Sequence, residues 1–347
     1  MAHFTNDKYS RLRILPTIGL KGQESIAKAK IGIFGLGGLG SWSSLLLTQM
    51  GVGFLRLVDR DVVELSNLPR TPIYDLDSVD LPKAERAAKF LKKLNPDILI
   101  EEMTTNIDES SVESLVKGLD IVIDGLDNVS TRLQVNKACR KYNIPFIFAG
   151  AIGTSANIST FLYGPQEPCL NCIFEMISDD DLEKCDVLGV DTTLLSLVGS
   201  IQASEAIKLI TNQKPIFVSQ LCYIYLNSMD IDHIPIKQNS TCSICNASIQ
   251  EIKEKKPRIV ELCGDKTFFV SSPTKKPANL GEITNKIENL HFKIIKKGSL
   301  GLTFEFNTST NAILVSVFSN GNLLLRGEPD QAKITELYLE IKKLIFD

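Results

Sequence analysis

Short apolar blocks alternate with amphipathic stretches through the first 150 residues, and this alternation predicts a parallel sheet. Residues 31–34, 53–58, 98–103, 120–123 and 145–149 are near-continuous apolar runs, as expected of strands covered on both faces. Residues 41–50, 83–94, 109–117 and 131–142 read as the intervening helices. In the second of these, Ala84, Ala87, Ala88, Leu91 and Leu94 recur at helical spacing, and Asn95-Pro96 ends the run. Strands alternating with helices in this way predict a doubly wound, Rossmann-like α/β fold. From Asn157 the pattern changes: residues 158–163 alternate polar and apolar, which predicts an antiparallel extension of the sheet. Residues 164–195 form a long connection with cysteines and an acidic run, Asp179-Asp180-Asp181. A buried helix over 197–209, with Gly199-Ser200 allowing close packing, and strands over 217–225 and 230–236 complete this part.

The lysine-rich stretch at 251–258, with Pro257, reads as a linker. It divides a first unit, 1–250, from a small α+β unit, 259–347. In the second unit, strands are expected over 267–270, 292–297, 302–306, 313–318 and 323–326, and helices over 281–290 and 330–345. Asn320-Gly321 between two apolar runs marks a hairpin.

Composition narrows the function. The chain has 347 residues, a net charge of −3 and 44% hydrophobic residues. It therefore shows no basic footprint for nucleic acid. No apolar run is long enough to predict a membrane span, and the N-terminus lacks the apolar core of a signal peptide, so a cytoplasmic protein is expected. Eight cysteines are too few for a disulfide scaffold at this length, and three histidines make His-based acid–base chemistry an unpromising expectation.

The chemistry begins at Gly35-Leu36-Gly37-Gly38-Leu39-Gly40, which joins the first strand to its helix. Gly35, Gly37, Gly38 and Gly40 in this setting let backbone N–H groups close on a phosphate at a helix N-terminus. With Asp59 some twenty residues on, the same pattern is the dinucleotide fingerprint, so an NAD- or FAD-dependent oxidoreductase remains open at this point. Arg70 and Lys83 favour a nucleotide that reacts, because fixed cations stabilise charge developing on a leaving pyrophosphate. Asn67 adds a polar contact. Lys83 taken alone is also an ordinary exposed lysine in a helix's first turn. Asp127, at the carboxyl edge of the sheet, suits Mg²⁺ held against phosphates, and equally suits capping of the helix that follows.

Cys169-Leu170-Asn171-Cys172 and Cys242-Ser243-Ile244-Cys245 are two Cys-x-x-Cys hooks, which together make a tetrahedral, structural Zn²⁺ site. A thioredoxin-like pair fits less well, since neither hook reads as opening a helix after a strand. Cys139 and Cys222 read as core, and Cys263 as packing or a turn. Cys185, in the long connection, is a candidate nucleophile, although no histidine is near and the local acids oppose thiolate formation.

Taken together, these motifs resemble the ubiquitin-activating superfamily, in its simple ThiF/MoeB/HesA-like branch. The resemblance runs from about Tyr9 to Cys245. It rests on Tyr9-Ser10-Arg11, the glycine turn, Asp59-x-Asp61, Ser66-Asn67-Leu68-x-Arg70, Pro82-Lys83, Asp127-Asn128-x-x-x-Arg132, both cysteine pairs and Gly199-Ser200-Ile201-Gln202-Ala203-x-Glu205. It implies ATP-dependent adenylation of the C-terminal glycine of a ubiquitin-like or sulfur-carrier protein ending in Gly-Gly, by a homodimer. It further implies that the Asp59-x-Asp61 segment binds nucleotide, with Asp59 on the ribose. Asn67, Arg70 and Lys83 would hold the phosphates, and Asp127 the Mg²⁺. Arg11 would reach into the partner subunit's site, and Cys185 would match an acyl-accepting cysteine. The chain departs from the pattern at Asp191-Thr192-Thr193, where Gly-Pro is usual, and at Ala156-Asn157, where Gly-Gln is common. A pseudoenzyme scaffold that binds ATP without turnover is the remaining reading. The second unit lacks the cysteine loop of a sulfurtransferase and is a candidate for partner recognition or for support.

Overall fold

The structure, a computed structural model, describes residues 8–174, 188–246, 259–261, 266–272, 277–308, 312–327 and 331–346. Strands β1 (Lys30–Phe34), β2 (Phe54–Val58), β3 (Leu99–Met103), β4 (Ile121–Asp124) and β5 (Phe146–Ile152) are parallel. Strands β6 (Ser155–Phe161), β7 (Gln220–Tyr225) and β8 (Asp230–Pro235) extend the sheet antiparallel. The order β3-β2-β1-β4-β5-β6-β7-β8 reverses direction of growth between β1 and β4. In open α/β sheets that switch point opens a crevice beyond the strands' carboxyl ends. The mostly parallel sheet with its antiparallel extension is the architecture expected.

The helices are α1 (Ser10–Arg13), α2 (Gly19–Ile26), α3 (Gly38–Met50), α4 (Lys83–Leu94), α5 (Val112–Val116), α6 (Val129–Tyr142), α7 (Asn171–Phe174) and α8 (Thr192–Ile210). Helices α3, α4 and α8 cover one face of the sheet through Leu47, Ala84, Leu91 and Ala203, and α5 and α6 cover the other through Leu115 and Val135. Helix α8 is long and apolar enough to cross a membrane by length and composition, yet it packs tightly on α3. A Cβ on Gly199 would lie 2.6 Å from Trp42 Cβ, so the glycine permits the close approach. Two polar side chains on α8 are fully buried and satisfied. Gln202 donates to the Asp124 carbonyl and accepts from Ser43, while Glu205 accepts the Ile216 and Phe217 amides and pairs with Lys208.

Element boundaries differ from expectation for local reasons. Helix α8 starts five residues early because Asp191 caps it, accepting from the amides of Thr193 and Leu194. Helix α5 is shorter than expected because the Asp108 carboxylate accepts the Ser110 and Ser111 amides and holds a turn instead. Cys172 lies in a short helix, α7, which residues 162–170 separate from β6, so the first hook does not open a helix directly after a strand.

A second sheet contains β9 (Ile259–Glu261), β10 (Thr267–Val270), β11 (Ile294–Lys297), β12 (Gly301–Asn307), β13 (Ala312–Phe318) and β14 (Leu323–Arg326). Its order is β11-β12-β13-β14-β10-β9, antiparallel throughout, and β9 was not anticipated. Helices α9 (Leu280–Asn289) and α10 (Gln331–Ile345) cover one face, with Ile283, Ile334 and Ile341 packed on Phe304 and Val315. The strand period of two turns Phe269, Phe318 and Leu324 to the other face, where they meet Val62 from the first sheet's side.

Candidate nucleotide site and cysteine cluster

At the switch point lies a cavity of about 780 Å³, and it gathers Gly35, Gly37 and Gly38 with Asp59, Asp61, Asn67, Arg70, Lys83 and Asp127. Its floor is the glycine turn. Gly35 has a φ of +88°, and a Cβ there would sit 2.3 Å from the Gly125 carbonyl oxygen. Gly40 is not in the cavity lining. It packs beneath the turn, where a Cβ would fall 1.9 Å from the Gly35 carbonyl oxygen. Gly37 differs again: a Cβ there would meet nothing within 4 Å, so this glycine leaves space in the cavity. Helix α3 begins here with no side-chain cap and no acid in its first turn. Its first N–H groups and its positive end are therefore available to an anion.

Asp59 directly follows β2 and is buried, accepting the Leu36 amide at 2.6 Å and the Asp61 amide at 2.8 Å. Burial pushes its carboxyl above the ordinary range, against the pull of Lys83. Lys83 opens α4 and is buried, rather than the exposed lysine its position alone suggests. Its Nζ lies 3.1 Å from Asp61 Oδ2. Burial alone would lower the lysine, but Asp61 and Asp59 outweigh it and hold the ammonium above its usual value. Burial would likewise raise Asp61, and Lys83 and Arg60 overcome it, leaving that carboxylate depressed. Asn67 and Arg70 come from a 3₁₀ turn, Leu65–Arg70, in which Asn67 Oδ1 accepts the Glu64 amide.

Asp127 follows β4 and is exposed to the cavity, with its Oδ1 accepting from the Asn128 side-chain amide at 2.9 Å. The capping of α6 falls to Asn128, whose side chain accepts from the Thr131 amide. The loop is clamped from below. Arg132 Nε donates to the fully buried Asp124 carboxylate at 2.9 Å, and Arg132 Nη2 donates to the Leu126 and Ala149 carbonyls. Burial pushes Asp124 up while Arg132 pulls it down. Asp124 and the clamping role of Arg132 were not read from the sequence, although a carboxylate ending an apolar strand is a usable signal. Arg60, bonded to Asn106, also lines the cavity and was missed.

Arg11 lies on α1, exposed and outside the lining of the cavity, next to the exposed Ile14 and Leu15. Cys185 and Cys263 lie outside the described residues. Phe174 and Val190, which flank the segment holding Cys185, both line the cavity. Cys139 and Cys222 are buried as expected, and burial pushes the Cys222 thiol up to about 11.

The two cysteine hooks converge. Cys169, Cys172, Cys242 and Cys245 place all four sulfurs within 4.8 Å of one another. Individual separations are 4.0 Å for Cys169–Cys172, 3.8 Å for Cys169–Cys242, 3.6 Å for Cys172–Cys245 and 3.4 Å for Cys169–Cys245. Tetrahedral bonds of about 2.3 Å to Zn²⁺ put sulfurs about 3.8 Å apart, so the donor set and its spacing fit that ion. Asn136 supports the hook, accepting from the Leu170 amide and the Tyr163 hydroxyl.

The sequence profile of the ThiF family matches residues 9–244. The chain belongs to the ThiF family. Among curated relatives, this ThiF-family chain is 37% identical over 240 residues to a SAMP-activating enzyme E1 of Haloferax volcanii, covering 69% of the chain and 88% of the relative. It is 27% identical over 335 residues to a sulfur carrier protein ThiS adenylyltransferase of Bacillus subtilis, covering 95% and 98%. Among solved structures, Escherichia coli MccB crystallised with AMPCPP and MccA superposes with a TM-score of 0.62 at 25% identity, covering 70% of this chain and 75% of that one.

Proposed function

We propose that this ThiF-family enzyme uses ATP to adenylate the C-terminal carboxylate of a ubiquitin-like or sulfur-carrier protein ending in Gly-Gly. The observation that carries the reading is the single cavity in which the glycine turn, Asp59, Arg70, Lys83 and Asp127 converge. A carboxylate oxygen attacks the α-phosphorus of ATP, the bond from that phosphorus to the bridging oxygen breaks, and pyrophosphate leaves with the electron pair. The turn and the α3 N-terminus hold phosphate oxygens, and Asp59 accepts from a ribose hydroxyl. Lys83 and Arg70 neutralise the charge that grows on the leaving pyrophosphate. Asp127 is the residue that would hold Mg²⁺, which screens phosphate charge when bound. The four cysteines would hold a closed, structural Zn²⁺.

Two further elements belong to this proposal. Arg11, outside its own chain's cavity, serves the site of a second subunit in a homodimer, with exposed Ile14, Leu15 and Leu20 in the interface. After adenylation, the Cys185 sulfur attacks the acyl carbonyl, the bond from that carbonyl to the AMP phosphate oxygen breaks, and a thioester forms as AMP leaves and the thiol proton is lost. The oxidoreductase alternative gains nothing from relatives named as adenylyltransferases and an activating enzyme.

Exchange of labelled pyrophosphate into ATP tests the reading. It should require a partner ending in Gly-Gly, vanish in Lys83→Ala and Asp127→Ala, and survive in Cys185→Ala. Exchange that is absent with every such partner, or indifferent to Lys83, refutes it.

A further inference from the structure

The ThiF match ends at residue 244, before the second sheet begins, so family membership assigns that sheet no role. Its position does. If phosphates sit on the glycine turn and the ribose on Asp59, at the end of β2, the base extends onward toward the end of β3. The cavity is lined by Arg60 and its partner Asn106 from the first sheet's side, and by Thr267 of β10 and Leu324 of β14 from the second sheet, and the packing of Leu324 on Val62, next to Asp61, sets these strands beside the end of β2.

We propose that β10 and β14 form the wall against which the purine base of the nucleotide is held, so that the second sheet is part of the nucleotide site in cis. This rests on the nucleotide reading above. The wall is fixed in place by an apolar seam and by polar ties. Leu324 packs with Phe269, Phe318 and Val62, and Val62 directly follows Asp61. Arg326 Nη2 meets Asp80 Oδ1 at 2.7 Å, and Thr303 Oγ1 donates to the Asp80 carbonyl at 2.9 Å. The Glu85 carboxylate accepts the Ser299 and Leu300 amides at 2.8 and 2.7 Å. These ties fall on both sides of Lys83. The sheet therefore sets the base end of the cavity and also braces the segment that carries the phosphate-end cation.

The test uses the full chain. A bulky residue at the base end excludes nucleosides while leaving the phosphate end open. Thr267→Trp should weaken calorimetric binding of ATP and AMP by about tenfold or more and leave inorganic pyrophosphate within about twofold of wild type. Unchanged ATP affinity in a folded Thr267→Trp protein overturns the proposal, as does parallel loss of pyrophosphate. Should Thr267→Trp not fold, Leu324→Ala decides, because it enlarges the same end. That variant should gain affinity for N6-benzyl-ATP relative to ATP by about fivefold, and an unchanged ratio overturns the wall. Failure of the underlying reading looks different, since the wild-type chain would then bind neither ATP nor pyrophosphate.

Discussion

At the scale of single residues, the glycine turn separates into glycines that pack and glycines that leave room. Gly40→Ala would drive its Cβ to 1.9 Å from the Gly35 carbonyl oxygen, and backbone against backbone has no side-chain route of escape. Urea denaturation should show a loss of about 2–4 kcal/mol, with nucleotide binding lost as the turn opens. Gly37→Ala meets nothing within 4 Å, so stability should hold while ATP affinity falls. Equal stability loss in the two variants would contradict this division. The Asp61–Lys83 pair gives a second prediction. Asp61 is depressed, so its contribution is present above the ordinary carboxylate value and is lost as pH falls through the lowered one. Lys83 is raised, so its contribution is present below the ordinary amine value and is lost as pH rises through the elevated one. Both stay charged between about pH 6 and pH 9, and the ratio of wild-type to Lys83→Ala affinity for ATP should be flat there. A step inside that window would show that the pair titrates and that the burial argument fails. The residues legible from sequence were those with local signatures: the turn, Asp59, Arg70, Lys83 and Asp127. Arg60, Asp124 and the clamping role of Arg132 were not, because each acts through contacts that no spacing encodes.

At the scale of elements, the cysteine hooks join α7 to the chain after β8 across more than seventy positions, since Cys169 and Cys242 are 73 residues apart. Phe174, at the end of α7, packs on Phe148 and lines the cavity, so this hook also shapes the site's rim. Elemental analysis should find one zinc per chain, and Cys245→Ser or a strong chelator should remove it and lower the melting temperature by several degrees. Pyrophosphate exchange should fall less than in Lys83→Ala, because the hook supports the rim and supplies no charge to the phosphates. Undiminished thermal stability without metal would remove the structural role. Apolar strands and amphipathic helices of the first sheet were readable because burial on two faces or one imposes a period. Element ends were less so. The start of α8 at Thr192 depends on the Asp191 cap, and the early start of β6 at Ser155 depends on its hairpin pairing with β5.

At the scale of the whole molecule, the arrangement of the two sheets was invisible in the sequence although each sheet's strands were largely visible. Their junction is made by the backbone amides of Ser299 and Leu300 on one carboxylate and by Arg326 on Asp80, and neither leaves a periodic trace. The junction predicts that sheet docking and the Lys83 segment share one stability. Glu85→Ala removes the acceptor from two amides, at a cost of about 1–2 kcal/mol, and Arg326→Ala removes a further polar tie, the ion pair with Asp80. Hydrogen exchange should quicken at Ser299 and Leu300 and also along residues 80–85, while amides in β1 and β4 keep their protection. If docking is one cooperative event, the double variant should lose less than the sum of the singles, since the first substitution already frees part of the junction. Strict additivity, with fast exchange confined to the altered residue's own neighbours, would instead describe two independent surface ties. In that case the second sheet would lie beside the cavity without bracing the segment that carries Lys83.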